Sequence, residues 1–273
     1  MRIVSLAPST TDVLIHLGFR EEIAGITEQC ADVLTISDKE IIGSFVNPNV
    51  KKIVATNPDL IVTAGKIHGR FHEEFEKQGI KVLDFGARSF ADIYNDMEEL
   101  GRISRRKEIG QQVSTLRERI EAIRRKIPKS TAPPRVIRLF GIELPRLYSI
   151  APGVYQYEAI QVAGGKPMTW ETEEYVAQLT LEAVISFDPE VIISCGHRRN
   201  EAPILICKGC TVPAPACQRD ITDIYDWEGW QGVSAIRNRR LHSISCATIC
   251  RPGHRLADLV EVLAKIFYPD SFE

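Results

Sequence analysis

Short apolar runs alternate with amphipathic stretches through the first third of this 273-residue chain. Residues 3–6, 23–26, 60–64 and 82–85 are mostly apolar. Their length and composition suit strands buried on both faces of a parallel sheet. After the first run, Pro8-Ser9-Thr10-Thr11-Asp12 reads as a helix start, with Ser9 as N-cap and Asp12 three residues later. That helix carries Leu14 and Leu17 and stops at Gly18. A further helix is expected over 71–78. The alternation predicts an α/β fold.

From Phe90 to Ile127 the pattern changes. Ile109, Val113, Leu116, Ile120, Ile123 and Ile127 recur at spacings of four and three, the stripe of an amphipathic helix. A helix of that length would span about 50 Å at 1.5 Å per residue. It is either a surface helix along one domain or a strut between two lobes. Pro128, Pro133 and Pro134 end it, and the β/α alternation then restarts, which favours the strut.

The restart reads as a diverged copy of the first half. Arg2-Ile3-Val4-Ser5-Leu6 is echoed by Arg135-Val136-Ile137-Arg138-Leu139. Asn57-Pro58-Asp59-Leu60-Ile61-Val62-Thr63-Ala64-Gly65 is echoed by Asp188-Pro189-Glu190-Val191-Ile192-Ile193-Ser194-Cys195-Gly196. Both echoes keep nearly the same offset, as a structural repeat does. Each copy has an Asx-Pro turn, a buried strand and a glycine where the chain leaves it.

Composition adds little. Hydrophobic residues make up 44% and charged residues 26%, with a formal net charge of −2; this excludes a disordered chain and the basic footprint of a nucleic-acid binder. No apolar run reaches the roughly 20 residues of a membrane helix. The sequence opens directly on a strand, without the charged and apolar regions of a signal peptide. Seven cysteines, an odd number, fit a reducing compartment. The expectation is a cytoplasmic protein, the alternative an extracytoplasmic one whose leader has been removed.

The cysteines are the more informative chemistry. Cys30 follows the run 23–26, Cys195 ends the run 191–194, and Cys207, Cys210 and Cys217 lie just beyond it. Cys246 and Cys250 follow the run 241–245. All are expected at the carboxyl ends of strands, where an open α/β sheet binds ligands. Cys207-Lys208-Gly209-Cys210 is a C-x-x-C turn that can direct two sulfurs at zinc, copper(I) or an iron–sulfur cluster. The alternatives are a redox pair or no common site. Cys207, Cys210 and Cys217 lead the set, and Cys195, Cys246 and Cys250 compete for a fourth place. His68 after Gly65 and His197 after Gly196 are paired through the repeat, and either could ligate a metal. His16 and His242 read as structural, and His254 as a weaker candidate. No nucleophile elbow, P-loop or dinucleotide fingerprint is present, so no enzyme activity is expected. The basic stretch from Arg102 to Lys107 reads as a solvated face.

The opening phrase from Arg2 to Asp12 with Leu17-Gly18, the phrase from Ile53 to Ile61, and Gly79-Ile80-Lys81-Val82 together resemble the solute-binding proteins of ABC importers for cobalamin, haem and ferric siderophores. The cobalamin-binding branch is the nearest. The resemblance covers nearly the whole chain and implies two Rossmann-like lobes with parallel sheets joined by one long backbone helix. The corresponding bounds are an N-terminal lobe at 1–89, the helix at 90–128 and a C-terminal lobe at 129–273. A cysteine-rich insert at 197–223 departs from the family pattern. The resemblance implies a corrinoid or an iron or haem chelate held in an inter-lobe cleft. Phe45 falls where cobalamin-binding relatives carry an aromatic beside the ligand. Phe140, Tyr148, Tyr155, Trp170, Trp227 and Trp230 are further candidate walls, with packing as the competing role for Trp170, Tyr148 and Tyr155. Glu73 and Glu74 are plausible docking acids for a permease. The competing function is a cytoplasmic iron–sulfur or metal-binding protein using the cleft cysteines, as a carrier or a redox component.

Overall fold

The computed structural model describes residues 1–86, 88–129, 132–143, 146–170, 176–195 and 221–272. The chain divides into two units, the first holding Met1–Leu116 together with Arg251–His254 and the second built from Arg117 onward.

In the first unit β1 (Ile3–Ser5), β2 (Ile23–Ile26), β3 (Glu40–Ile41), β4 (Leu60–Thr63) and β5 (Lys81–Asp84) form a wholly parallel sheet in the order β3-β2-β1-β4-β5. Between them run α1 (Pro8–His16), α2 (Glu28–Leu34), α3 (Val50–Ala55) and α4 (Lys66–Lys77). Val4 and Ile61 from the sheet pack with Leu6, Ile42, Ile53, Phe75 and Ile80 in a buried core. The start of α1 differs from expectation, because its N-cap is Ala7 and not Ser9. Pro8 occupies the first helical position, where its missing N–H costs nothing. The Thr10 and Thr11 hydroxyls donate to the Ala7 carbonyl, both at 2.9 Å.

The long helix is two helices, α5 (Phe90–Ser104) and α6 (Glu108–Lys126). Arg105 separates them in the left-handed region at φ 58°. The basic stretch between them is not all solvated. Arg106 turns back, donating to the carbonyls of Leu17 at 3.2 Å and Gly18 at 3.0 Å and pairing with Glu22. Its guanidinium lies 3.9 Å from the Phe19 ring centroid. The apolar stripe does behave as read: Ile109, Val113, Leu116, Ile120 and Ile123 are buried. The α6 residues up to Leu116 belong to the first unit and those from Arg117 to the second.

The second unit contains β6 (Arg135–Glu143), β7 (Arg146–Ile150), α7 (Tyr155–Val162), β8 (Lys166–Pro167), β9 (Val176–Leu179), α8 (Leu181–Phe187) and β10 (Val191–Ser194). After these come α9 (Ser234–Arg237), β11 (Leu241–Ser243), α10 (Cys246–Ile249) and α11 (Leu256–Phe267). Its sheet runs β11-β10-β6-β7-β9, with β8 beside β6. The expectation of a second parallel sheet is corrected here: β7 is antiparallel to both β6 and β9. A hairpin reverses the chain where the first unit has a helical crossover, so the repeat is imperfect.

Where it holds, the repeat is preserved atom by atom. In the first unit the Arg2 N–H donates to Asp59 Oδ2 at 2.7 Å, its Nε to the Thr56 carbonyl at 2.9 Å, and Asp59 N–H back to the Arg2 carbonyl at 2.9 Å. In the second the Arg135 N–H donates to Glu190 Oε2 at 3.0 Å, its Nε to the Phe187 carbonyl at 3.1 Å and also to that of Asp188 at 2.7 Å, and Glu190 N–H back to the Arg135 carbonyl at 2.8 Å. Asn57 and Asp188 both stand at positive φ, 50° and 47°. Asn and Asp tolerate that region better than other side chains. Each clasp secures the amino end of a central strand, and the side chains with candidate chemistry lie toward the opposite ends.

Candidate functional site

In the first unit the carboxyl ends of β3, β4 and β5 carry a loop, a glycine and two histidines. Gly65 leaves β4 at φ 58°, ψ −150°, a conformation essentially restricted to glycine. Its N–H and the Thr63 hydroxyl both donate to Asp84 Oδ1, at 2.7 and 2.6 Å. His72 Nε2 stands 3.0 Å from the Thr63 hydroxyl.

His68, on α4, is fully buried. The Ala64 N–H donates to its Nδ1 at 3.0 Å. That leaves the proton on Nε2, which donates to the Phe45 carbonyl at 2.7 Å. Burial is the main reason its imidazole titrates below the ordinary histidine value, with the Phe45 carbonyl pulling the other way. Both nitrogens are engaged, so His68 has none left for a bound metal, and its role as a ligand is corrected to that of a clamp. Phe45 is held from two sides. Gln29 on α2 accepts its N–H at 2.5 Å, and its ring meets His68 edge-on with centroids 5.3 Å apart. Phe45 is only 7% exposed, whereas its neighbour Val46 is 46% exposed. Arg70 donates to the Val46 carbonyl at 2.7 Å. The turn itself needs Gly43 at φ 109°, where a Cβ would lie 2.7 Å from the Asn49 nitrogen.

The cysteine reading is rearranged. Cys30 lies in the first turn of α2, four residues beyond the end of β2, fully buried, its thiol 3.0 Å from the Thr27 hydroxyl. Burial raises its pKa, and it belongs to the first unit. In the second unit Cys195, Cys246 and Cys250 do converge, on a residue the sequence reading passed over. Arg138, in the middle of β6, is 2% exposed and donates from Nη2 to Cys250 Sγ at 3.2 Å. Hydrogen bonding by Cys195 and then Cys246, together with the Arg138 charge, holds the Cys250 thiol well below its ordinary value against the cost of burial. Tyr155 donates its hydroxyl to the Ile249 carbonyl at 2.9 Å. Burial first, then the Cys250 charge, pushes its phenol upward, so it stays protonated.

Among the described residues no group of three or more His, Cys, Asp and Glu is arranged to hold a metal ion. Cys30, Cys195, Cys246 and Cys250 make no such group by themselves. Gly196, His197, Cys207, Cys210 and Cys217 lie outside the described residues, as does the side chain of Phe140.

Trp230 is fully buried and Trp227 partly exposed, the rings meeting edge-on at 6.1 Å. Trp230 is therefore packing, and Trp227 keeps a surface to offer. Tyr148 and Tyr155 are buried in the second unit. His16 stacks on His254 with ring centroids 3.9 Å apart. Glu73 and Glu74 are exposed on α4, Glu73 pairing with Lys77 at 2.6 Å. No helix among the described residues is long and apolar enough to cross a membrane.

Arg138 was detectable: an arginine inside the apolar run Val136-Ile137-Arg138-Leu139 demands a buried partner. Gln29 and Asp84 gave no such signal.

Comparison with known proteins places these features. The sequence profile of the family described as "Periplasmic binding protein" matches residues 3–245. The uncharacterized ABC transporter substrate-binding lipoprotein YvrC of Bacillus subtilis is 25% identical over 280 residues, covering all of this chain and 81% of YvrC. The vitamin B12-binding protein of Vibrio cholerae is 23% identical, covering 95% of this chain and 86% of that one. Among solved structures, the periplasmic haem-binding protein BhuT in complex with two haems superposes with a TM-score of 0.79 at 16% identity, covering 100% and 99% of the two chains. These findings overturn the expected cytoplasmic location, since the family is periplasmic and YvrC is a lipoprotein. They give no support to an iron–sulfur or zinc protein.

Proposed function

The chain belongs to the periplasmic binding protein family, and on that premise we propose that it is the solute-binding component of an ABC importer, capturing a corrinoid and passing it to a permease. Substrate-binding proteins of this kind hold and release their solute without chemical turnover, consistent with the binding-only reading of the sequence. The observation that carries the corrinoid assignment is the near full-length relation to the vitamin B12-binding protein of Vibrio cholerae. Haem and ferric chelates are the competing cargoes, supported by the fold shared with BhuT. Cobalamin is cargo in this reading, not a resident cofactor.

The architecture supports the proposal physically. Ligands of open α/β sheets bind beyond the carboxyl ends of the strands, and a large planar chelate needs rigid apolar contact with few polar anchors. The loop around Phe45 is rigid because Gln29, His68 and Arg70 each hold its backbone. Gly65 and Trp227 complete the described residues we assign to the cargo, and His197 and Phe140 remain candidates from the sequence. Glu73 and Glu74 are proposed as permease contacts, reading out through loss of transport and not of binding.

Calorimetry with cyanocobalamin, haemin and a ferric hydroxamate tests the reading. Stoichiometric binding of cyanocobalamin, tighter than either competitor, is expected. Heat with haemin or the hydroxamate alone would replace the corrinoid, and silence with all three would overturn the assignment.

A further inference from the structure

Helix α11 is apolar on more faces than the second unit covers. Its polar residues are Asp258, Glu261 and Lys265 alone. Leu256, Leu259, Val260, Leu263 and Phe267 are buried, but Val262 and Ile266 are only partly so. These two stand four residues apart, on one face, whereas a helix apolar all round is normally buried all round. With Phe267, Pro269 and the amino end of β11 they line a wide-mouthed cavity of about 710 Å³. Small-molecule sites commonly enclose about 300–1,000 Å³.

The charged part of the wall is cationic. Arg239, Arg240 and Lys265 line the cavity, and none of the described lining residues is acidic. Lys265 is neutralised by Glu261 at 2.8 Å. Among the described residues neither guanidinium meets a carboxylate: Arg240 donates to the Ile266 carbonyl at 2.8 Å, and Arg239 lies 5.5 Å from the Tyr225 ring centroid. Arg240 thereby closes the carboxyl end of α11. Arg239 has no such duty. It follows α9 in the left-handed region at φ 52°. Its N–H donates to the Ile236 carbonyl at 3.1 Å and the Arg240 N–H to that of Ala235 at 2.8 Å. Glycine is the usual residue at such a helix end, and an arginine there carries backbone strain.

We propose that this cavity binds a free single-chain anionic amphiphile, its carboxylate or phosphate head held by Arg239 and Arg240 and its apolar chain laid on Val262, Ile266 and Phe267. A guanidinium fork matches both head groups and can hold either bidentately. Arg240 keeps donors beyond the one given to Ile266. The apolar wall offers contact that a small inorganic anion cannot use, so chain and charge are both required. The site lies at the amino end of β11, whereas open α/β sheets bind ligands beyond the carboxyl ends of their strands. Its occupancy neither needs nor blocks the cargo proposed above.

The test is calorimetry of the full chain with dodecanoate and dodecyl phosphate, each below its micelle concentration. One site is expected, and the tighter of the two probes names the head group. Dodecyltrimethylammonium and inorganic phosphate, which keep only the chain or only the charge, should bind at least about tenfold more weakly. Arg239→Gly removes the guanidinium and relieves the left-handed strain, so affinity should fall about tenfold with no drop in melting temperature. An arginine with only a structural role would give the reverse, a lower melting temperature at full affinity. Ile266→Glu sets a carboxylate in the wall at a partly exposed position and should abolish binding, which decides the matter if Arg239→Gly proves unstable. No binding tighter than about 1 mM, equal affinity for the cationic chain, or full affinity in either variant would overturn the proposal. Capture of phosphatidylglycerol vesicles without binding of either free chain would also overturn it, by assigning this face to a membrane surface.

Discussion

Replacing His68 by Ala is expected to loosen the Phe45 loop at a definite cost. The imidazole joins the Ala64 N–H to the Phe45 carbonyl, and its removal orphans both. A buried backbone group left without a partner costs about 1–3 kcal/mol. The edge-on Phe45 contact adds about 0.5–1.5 kcal/mol. The Ala64 bond is only part-buried, so water can reach that group, and the expected loss is about 2–5 kcal/mol. All three tryptophans, Trp170, Trp227 and Trp230, fall in the second unit, so their fluorescence follows that unit alone. Hydrogen exchange on peptides from β4 and α4 reads the first unit, with the fluorescence transition as the internal control. A pH arm separates the bond from mere volume. Burial holds the His68 pKa below its unfolded value, so below about pH 6.5 the unfolded chain binds more protons. Stability therefore falls as pH drops from there toward the folded pKa, by up to about 1.4 kcal/mol per pH unit. His68→Gln, which keeps a donor and an acceptor, should lose less at pH 8 and show a flatter slope below pH 6.5. A loss under about 1 kcal/mol for His68→Ala, or identical pH slopes for wild type and His68→Gln, would refute the clamp.

Other substitutions probe separate features. Gly253→Ala would place a Cβ 2.2 Å from Val13 Cγ2 at φ 138°, and should cost about 2 kcal/mol or more of first-unit stability by hydrogen exchange. Arg106→Met, which removes the two carbonyl bonds and the Phe19 contact, should lower the melting temperature of the first unit while the tryptophan transition stays in place. Trp227→Ala should weaken cyanocobalamin binding about tenfold, or about 1.4 kcal/mol, at unchanged thermal stability; full affinity would remove Trp227 from the binding surface. The Asp188 carboxyl is held low, chiefly by the Ser234 N–H and then its hydroxyl. It should therefore stabilise the second unit above about pH 4 and lose that contribution as pH falls, a dependence absent in Asp188→Asn by acid titration of fluorescence.

The fold was legible because its signals are local and doubled. Apolar runs marked β1, β2, β4, β5 and β10, and the Asn57-Pro58 and Asp188-Pro189 echoes marked a repeat that the arginine clasps bear out. The strand β7 was missed because a hairpin in the middle of a copied half leaves no mark beyond two more apolar runs. The break at Arg105 was missed because the apolar stripe continues on either side of it and a left-handed arginine carries no composition signal. The site was read less well. Glycine and aromatic residues drew attention to the strand ends where Gly65 and Phe45 stand, but the partner of His68 is a backbone carbonyl, which no sequence pattern displays. The cysteines were grouped by their positions along the chain, whereas the arginine on a neighbouring strand decides their chemistry.

The segment Arg251–His254 has a consequence for how the protein is made. Val13 in α1 receives Gly253, His16 stacks on His254, and Asp12 pairs with Arg251 at 3.5 Å. The first unit is therefore assembled from stretches more than a hundred residues apart in the sequence. A ribosome adding about 5–20 residues per second releases residues up to Leu116 on the order of ten seconds before residue 254. Throughout that interval the face of α1 around Val13 and His16 stands open, a natural foothold for a chaperone. The same dependence makes translation past residue 254 a condition for completing the unit whose first 116 residues are made earliest.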